Sequence, residues 1–171
     1  MKRILFVLLL IILACNKEEK KEQAIIQKND FESLLGWSEI DAGRLAKGTA
    51  HSGIYSALTD SLHQFSPGFI RKIKDISDQR IKKIELNVWV LTKNLDAKAS
   101  LVLSIESEGK SAFYKGINVI DSVQATERWY PVRCVFNLPA DLNKENEVRV
   151  YLWNTGKDVV LADDFELKFY N

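Results

Sequence analysis

The sequence predicts an all-β protein, an antiparallel sandwich or jelly roll, and three observations carry that prediction. Apolar residues alternate with polar ones at a period of two in several separate runs. Pieces rich in Gly, Pro, Asn and Asp stand between those runs and read as turns. No stretch shows the apolar stripe of a three-turn amphipathic helix. Together they give about nine or ten strand candidates, a pattern that packed antiparallel sheets satisfy.

In chain order, Ile84, Leu86, Val88 and Val90 alternate with Glu85, Asn87, Trp89 and Leu91. Leu101, Leu103 and Ile105 alternate with Ser104 and Glu106. The same period returns at Val132, Cys134 and Phe136, at Val148, Val150 and Leu152, and at Leu161, Asp163, Phe165, Leu167 and Phe169. Turns are expected at Ser66-Pro67-Gly68, Glu108-Gly109-Lys110, Leu138-Pro139-Ala140-Asp141 and Asn154-Thr155-Gly156-Lys157. Internal repeats are not evident.

Ahead of this domain the chain carries an address. Lys2 and Arg3 precede an unbroken apolar stretch, Ile4 to Leu13, which is too short to span a bilayer and fits the core of a signal peptide. Ile12-Leu13-Ala14-Cys15 resembles the lipobox of bacterial lipoproteins, with Ile where Leu is more usual. The resemblance implies that Cys15 is acylated and begins the mature chain; an ordinary secretory signal cut elsewhere is the alternative. Acyl chains hold a protein through about 0.8 kcal/mol per buried methylene, so dual acylation anchors without a transmembrane helix. The run from Asn16 to Gln23 has no apolar residue and mixed charge, and reads as solvated spacer. Its Lys17-Glu18-Glu19 resembles the export signal of surface lipoproteins in Bacteroidetes. The expected organisation is therefore a signal peptide over 1–15, a charged flexible tether over 16–28 and a β domain over 29–171. The expected location is the outer membrane, at the cell surface or on the periplasmic face.

Charge and cysteine usage narrow the function classes. Lys and Arg number 24 against 23 Asp and Glu, a net charge of +1 with no basic stripe, so nucleic acid is not an expected partner. With Cys15 acylated, Cys134 is left without a disulfide partner and shares the parity of Val132 and Phe136, which makes it a buried apolar side chain. No nucleophile elbow, zinc-binding His-Glu-x-x-His helix or phosphate-cradling glycine loop occurs. Carboxylates abound, but their separations decide whether any two form a glycosidase pair. The chain reads as a binding protein and not an enzyme.

Several segments carry a family likeness. Asn29-Asp30-Phe31-Glu32, Gly36-Trp37, Ala50-His51-Ser52-Gly53-Ile54-Tyr55-Ser56 and Leu161-Ala162-Asp163-Asp164-Phe165-Glu166-Leu167 resemble landmarks of jelly-roll carbohydrate-binding modules of the family 4/9/22 type, within the galactose-binding-like fold. Their order and spacing span Asp30 to Tyr170. Trp129-Tyr130-Pro131-Val132 and Val150-Tyr151-Leu152-Trp153-Asn154 are similar to strands of such domains in Bacteroidetes surface lipoproteins. By this resemblance a structural calcium ion is implied near the first and last strands, with Glu32, Asp163 and a carbonyl near His51 as ligands. Asp163 has core-face parity with Leu161 and Phe165, and a carboxylate buried there needs a partner. A cation, a hydrogen-bonded carboxylate cluster and a lysine salt bridge each satisfy that need.

A sugar site requires flat apolar surface beside hydrogen-bonding groups, because a pyranose ring has apolar C–H patches and a rim of hydroxyls. Opposite the core positions of three strands lie Asn87 and Trp89, then Arg133, then Arg149, Tyr151 and Trp153, with Glu106 and Tyr114 as additions. One groove lined by these residues is expected; packing of Trp89 and Trp153 under loops is the alternative, since parity assigns a face and not exposure. Trp37 and Trp129, each beside a turn or a proline, read as structural plugs; His63, in Ser61-Leu62-His63-Gln64-Phe65, reads as a solvated loop histidine, with a loop that borders a ligand groove as the alternative. Two functions stay open. The first is a membrane-anchored lipoprotein binding polysaccharide or oligosaccharide. The second is an adaptor using the same sandwich to contact a protein partner at the outer membrane.

Overall fold

Alternation translates into strands with one buried and one outward face. In the computed structural model, which describes residues 23–37 and 42–171, ten strands form. They are β1 (Ile25–Asn29), β2 (Leu45–Lys47), β3 (Tyr55–Thr59), β4 (Phe69–Lys72), β5 (Lys83–Thr92), β6 (Ala99–Ser107), β7 (Lys110–Asn118), β8 (Tyr130–Asn137), β9 (Glu147–Asn154) and β10 (Val160–Tyr170). Short 3-10 turns interrupt the connections, and no α-helix occurs among the described residues. One sheet has the order β2-β3-β10-β5-β8 with β1 also on β10; the other has the order β4-β9-β6-β7. All pairings are antiparallel, and the fold is an all-β jelly-roll sandwich.

The core lies where the alternation puts it. Ile84, Leu86, Val88 and Val90 of β5 meet Leu101, Leu103 and Ile105 of β6 and Val148, Val150 and Leu152 of β9. Cys134 joins this cluster between Val132 and Phe136, and burial pushes its thiol up to about 11. Trp37 closes one end of the sandwich, edge-on to Phe31, Phe69 and Phe165 at 5.6–6.2 Å. Edge-to-face geometry at this spacing adds to area burial.

Two expectations need correction. The tether was expected to run to residue 28, but Ile25 to Asn29 pair with Phe169 to Phe165 and belong to the sheet. Ile25 packs against the core, which supplies the free energy that recruits this short strand. Cys15 and residues 16–22 lie outside the described residues.

Asp163 is the second. The strand does not alternate unbroken through it: Asp163 lies opposite Trp89 and Glu166 opposite Asn87, so β10 bulges by one residue, and Asp164 takes φ 49°. A bulge resets parity. Ala162 and Phe165 both face the core, while Asp163 turns to the outer side and is buried there by the β2–β3 loop. The same bulge separates the stretch of β10 held by β3 from the stretch held by β1.

Candidate functional site

The six outward residues expected to share one groove occupy two faces. Asn87 and Trp89 on β5 and Arg133 on β8 lie on the outer side of the first sheet, where Arg133 stands opposite Asn87 and Pro131 opposite Trp89. Arg149, Tyr151 and Trp153 lie on β9, which runs between β4 and β6 in the second sheet. Parity made all six outward. Which sheet each strand joins is a matter of long-range pairing, and the single groove is therefore corrected to two separate surfaces.

The second sheet carries an aromatic platform. Tyr151 pairs with Val102 and Arg149 with Ser104 on β6, and Ile70 on β4 lies opposite Arg149. β7 adds Tyr114, 51% exposed, opposite Ser104. Phe65, ahead of β4, forms an isolated bridge to Trp153 and stacks on its ring at 6.1 Å and 3°, while meeting the Tyr151 ring edge-on at 5.7 Å. The backbone fixes that placement: Ser66 N–H donates to Leu152 O at 3.0 Å, Leu152 N–H donates to Ser66 Oγ at 2.9 Å, and Arg44 donates to Phe65 O at 3.1 Å. Gly68 is required here, since a Cβ would fall 2.4 Å from Val150 O.

Phe65, Ser66, Gly68, Ile70, Arg149 and Tyr151 line a cleft of about 350 Å³. Arg149 is aimed by Glu147 at 2.7 Å and Glu106 at 3.2 Å, which leaves further guanidinium N–H groups for a ligand. Burial raises the Tyr151 phenol above its ordinary value and keeps it a neutral donor. The indole Nε1 of Trp153 is buried with no hydrogen-bond partner among the described residues. Phe65 and Glu147 escaped the sequence reading. Phe65 stands outside the alternating runs, and only its position just before Ser66-Pro67-Gly68 hinted at a fixed loop.

The first sheet presents a different surface. Rows across it read Arg133, Asn87, Glu166, Lys28 and, one step on, Val135, Glu85, Lys168, Ile26. Glu166 binds Lys28 at 2.6 Å, Lys168 at 2.8 Å and Asn87 at 3.2 Å, and the lysines hold its carboxyl down at about 2. Glu85 accepts from Tyr170 at 2.8 Å and pairs with Lys83 at 3.1 Å. These side chains floor a cleft of about 1000 Å³. Trp89 at its upper end is stacked under His51 at 3.8 Å and 12°, with Trp129 edge-on to His51 at 5.9 Å. One face of Trp89 therefore packs the loop above it, and Trp129 serves the structural role expected of it.

That loop is fixed by carboxylates. Asp163 Oδ2 accepts the His51 and Ser52 N–H groups at 2.7 and 3.1 Å, and Oδ1 accepts the Asp164 N–H at 2.7 Å. Asp164 takes His51 Nδ1 at 2.5 Å and Ser52 Oγ at 2.6 Å. Glu32 Oε1 receives the Ile54 and Tyr55 N–H groups at 2.6 and 2.8 Å. Gly53 makes this close approach possible with φ 65°, since a Cβ would fall 2.4 Å from Glu32 Oε1. Burial pushes the Asp163 carboxyl up to about 6, against the pull of its three N–H donors.

Calcium asks for six to eight converging oxygens. Here Asp163 Oδ2 and Glu32 Oε1 each face two N–H donors, and among the described residues no three His, Cys, Asp or Glu side chains gather as a metal-binding group. The arrangement of Glu32, His51 and Asp163 is a hydrogen-bonded latch and does not fit a calcium cage. His63 lies in the 60–64 loop, held by Asp60 at 2.7 Å through its N–H.

No family model matches this chain, and no curated protein matches it. Solved structures do. The CBM22-1 xylan-binding domain of Paenibacillus barcinonensis Xyn10C superimposes with TM-score 0.55 at 16% identity, over 88% of this chain and 96% of that one. The CBM22-2 xylan-binding domain of the same enzyme gives 0.57 at 15% identity, over 84% and 98%. The C-terminal family 22 carbohydrate-binding module of Clostridium thermocellum Xyn10B gives 0.52 at 12% identity, over 85% and 92%. At these identities the likeness is one of fold.

Proposed function

We propose that this chain is a lipid-anchored carbohydrate-binding protein that works without catalysis, holding a polysaccharide chain on the outer face of the β9 sheet. The observation that carries this reading is the shelf of Phe65, Tyr151 and Trp153 beside an aimed Arg149. Flat aromatic surface matches the C–H face of a sugar ring, and Arg149, Glu106 and Glu147 match its hydroxyls. The likeness in fold to xylan-binding domains supports it. An adaptor role fits less well, because Phe65 and Tyr151 line a cleft beside Arg149 and not a flat apolar patch.

Affinity electrophoresis against a panel of neutral polysaccharides, xylan among them, tests the reading. Retardation on at least one glycan is expected, with loss in Tyr151→Ala and Phe65→Ala. Free migration of the folded protein on every glycan would overturn it.

The anchor reading places acyl chains on Cys15 and the domain at the outer membrane, displayed at the surface or toward the periplasm. Cys15→Ser is expected to move the protein from the membrane fraction to the soluble one. Retention of the variant in the membrane would contradict the anchor.

A further inference from the structure

The larger cleft, on the outer face of the first sheet, stands apart from the aromatic platform. Every acid that lines it is engaged. Glu166 holds Lys28, Lys168 and Asn87; Glu85 holds Lys83 and Tyr170; Asp164 holds His51 and Ser52; and Asp30 Oδ1 accepts the Glu32 N–H at 3.2 Å. One cation of the lining is not engaged. Arg133 is exposed on β8, and its guanidinium makes no hydrogen bond or ion pair among the described residues.

Beside it, Asn87 gives one amide hydrogen to Glu166 and keeps its second N–H and its carbonyl for a ligand. A free guanidinium offers a planar fork that matches a carboxylate with two parallel hydrogen bonds. Glu166 and Glu85, the acids on the two rows that Arg133 and Val135 begin, are each paired with lysine, so a carboxylate arriving at Arg133 meets no unpaired negative charge along those rows.

The shape of the site selects among carboxylates. The floor crosses four strands, β8, β5, β10 and β1, which at ordinary strand spacing extends about 14 Å. Along it, donors from Asn87 and Lys168 lie among acceptors from Glu85 and Glu166, a mixture that suits a chain of hydroxyl-bearing rings. The inner floor strands β5 and β10 are paired on both sides and offer no free backbone ladder, which leaves strand addition to the edges β8 and β1 and the floor itself to side-chain contacts.

We propose that this cleft is a second binding site, specific for an oligosaccharide that carries carboxylates, a uronic-acid chain. Arg133 pairs with the carboxylate and Asn87 binds neighbouring hydroxyls. The site is independent of the aromatic platform.

Calorimetric titration of the full mature chain with an oligogalacturonate, and with the same oligomer after its carboxyls are reduced to alcohols, tests the proposal. The acid is expected to bind and the reduced oligomer to be silent at this site. Arg133→Ala is expected to weaken the acid by about tenfold, the scale of one lost charge-assisted contact. Arg133→Lys should fall between, because it keeps the charge and loses the fork. Tyr151→Ala should leave the acid's affinity unchanged, which separates failure of this site from failure of the platform. Arg133 is exposed on an edge strand, and circular dichroism checks that its variants fold. Four results would overturn the proposal: no binding of the acid, equal binding of the reduced oligomer, dependence on Tyr151 instead of Arg133, or equal competition by oligoglutamate, which would assign the cleft to an acidic protein.

Discussion

The two outer faces of the sandwich come from the same rule and do different chemistry. On the second sheet, outward positions hold Tyr151, Trp153 and Tyr114, and Phe65 leans over them. On the first sheet they hold Glu85, Asn87, Glu166 and Lys168, tied across strands by ion pairs. Trp89, at one end of that floor, is stacked under His51. Alternation decides that a side chain points out; side-chain chemistry and the loops above decide what it meets there. Aromatics held at the rim of a cleft are a platform, whereas an aromatic under a latched loop is packing.

Substitution at the latch should give the largest effect and mark the faces as separable. Asp163→Ala leaves three N–H groups without an acceptor, a loss of about 3 kcal/mol at ordinary costs for unsatisfied buried donors. Asp163→Asn keeps one carbonyl acceptor and should lose roughly half of that. Denaturant unfolding measures both. Polysaccharide retardation should persist in either variant while it stays folded, because the platform belongs to the other sheet. Loss of retardation in folded Asp163→Asn would show that the faces are coupled.

The pH dependence of stability comes next in size and belongs to the first sheet. Asp163 rises from an ordinary 3.8 to about 6 in the folded protein, so the fold retains this proton more firmly than the unfolded chain. Its contribution is fully present below 3.8 and is lost as pH rises through 6. Glu166 falls from 4.5 to about 2, so its contribution is present above 4.5 and is lost as pH falls through 2. Together these two groups favour a window of about pH 4 to 5 in thermal melts. Asp163→Asn should flatten the alkaline limb and Glu166→Gln the acid limb. A profile unchanged by both substitutions would contradict these assignments.

Chelation should give the smallest effect. The latch oxygens are satisfied by N–H groups, so EDTA is expected to leave the melting temperature where it was. A drop on chelation that calcium restores would show that the latch rearranges into a metal site.

Much of this fold was legible from the sequence, and the failures have physical reasons. β5, β6, β8 and β9 follow from alternation, because each buries one face against the core. The hairpin turn at Glu108 and Gly109 was legible as well, and both residues take the positive φ that a tight antiparallel turn demands. β7 was not, since it is an outer strand with most of its side chains exposed and little alternation to read. Asp163 was misplaced by one face because a bulge costs a single residue and leaves no mark in a period-two count. The split of the predicted groove has a similar origin: the strand order that separates β9 from β5 is set by contacts distant in sequence. Arg149, Tyr151 and Trp153 were found together because they share one strand; Phe65 was missed because the chain brings it there from a loop.

Chemical-shift mapping on uniformly labelled protein, titrated with the neutral glycan that gives the strongest retardation, tests the central claim most directly. The account predicts that the perturbed resonances cluster at Phe65, Arg149, Tyr151 and the Trp153 indole N–H, with Asn87, Trp89 and Glu166 unmoved. A cluster on Asn87, Trp89 and Glu166 with the β9 face silent would contradict it.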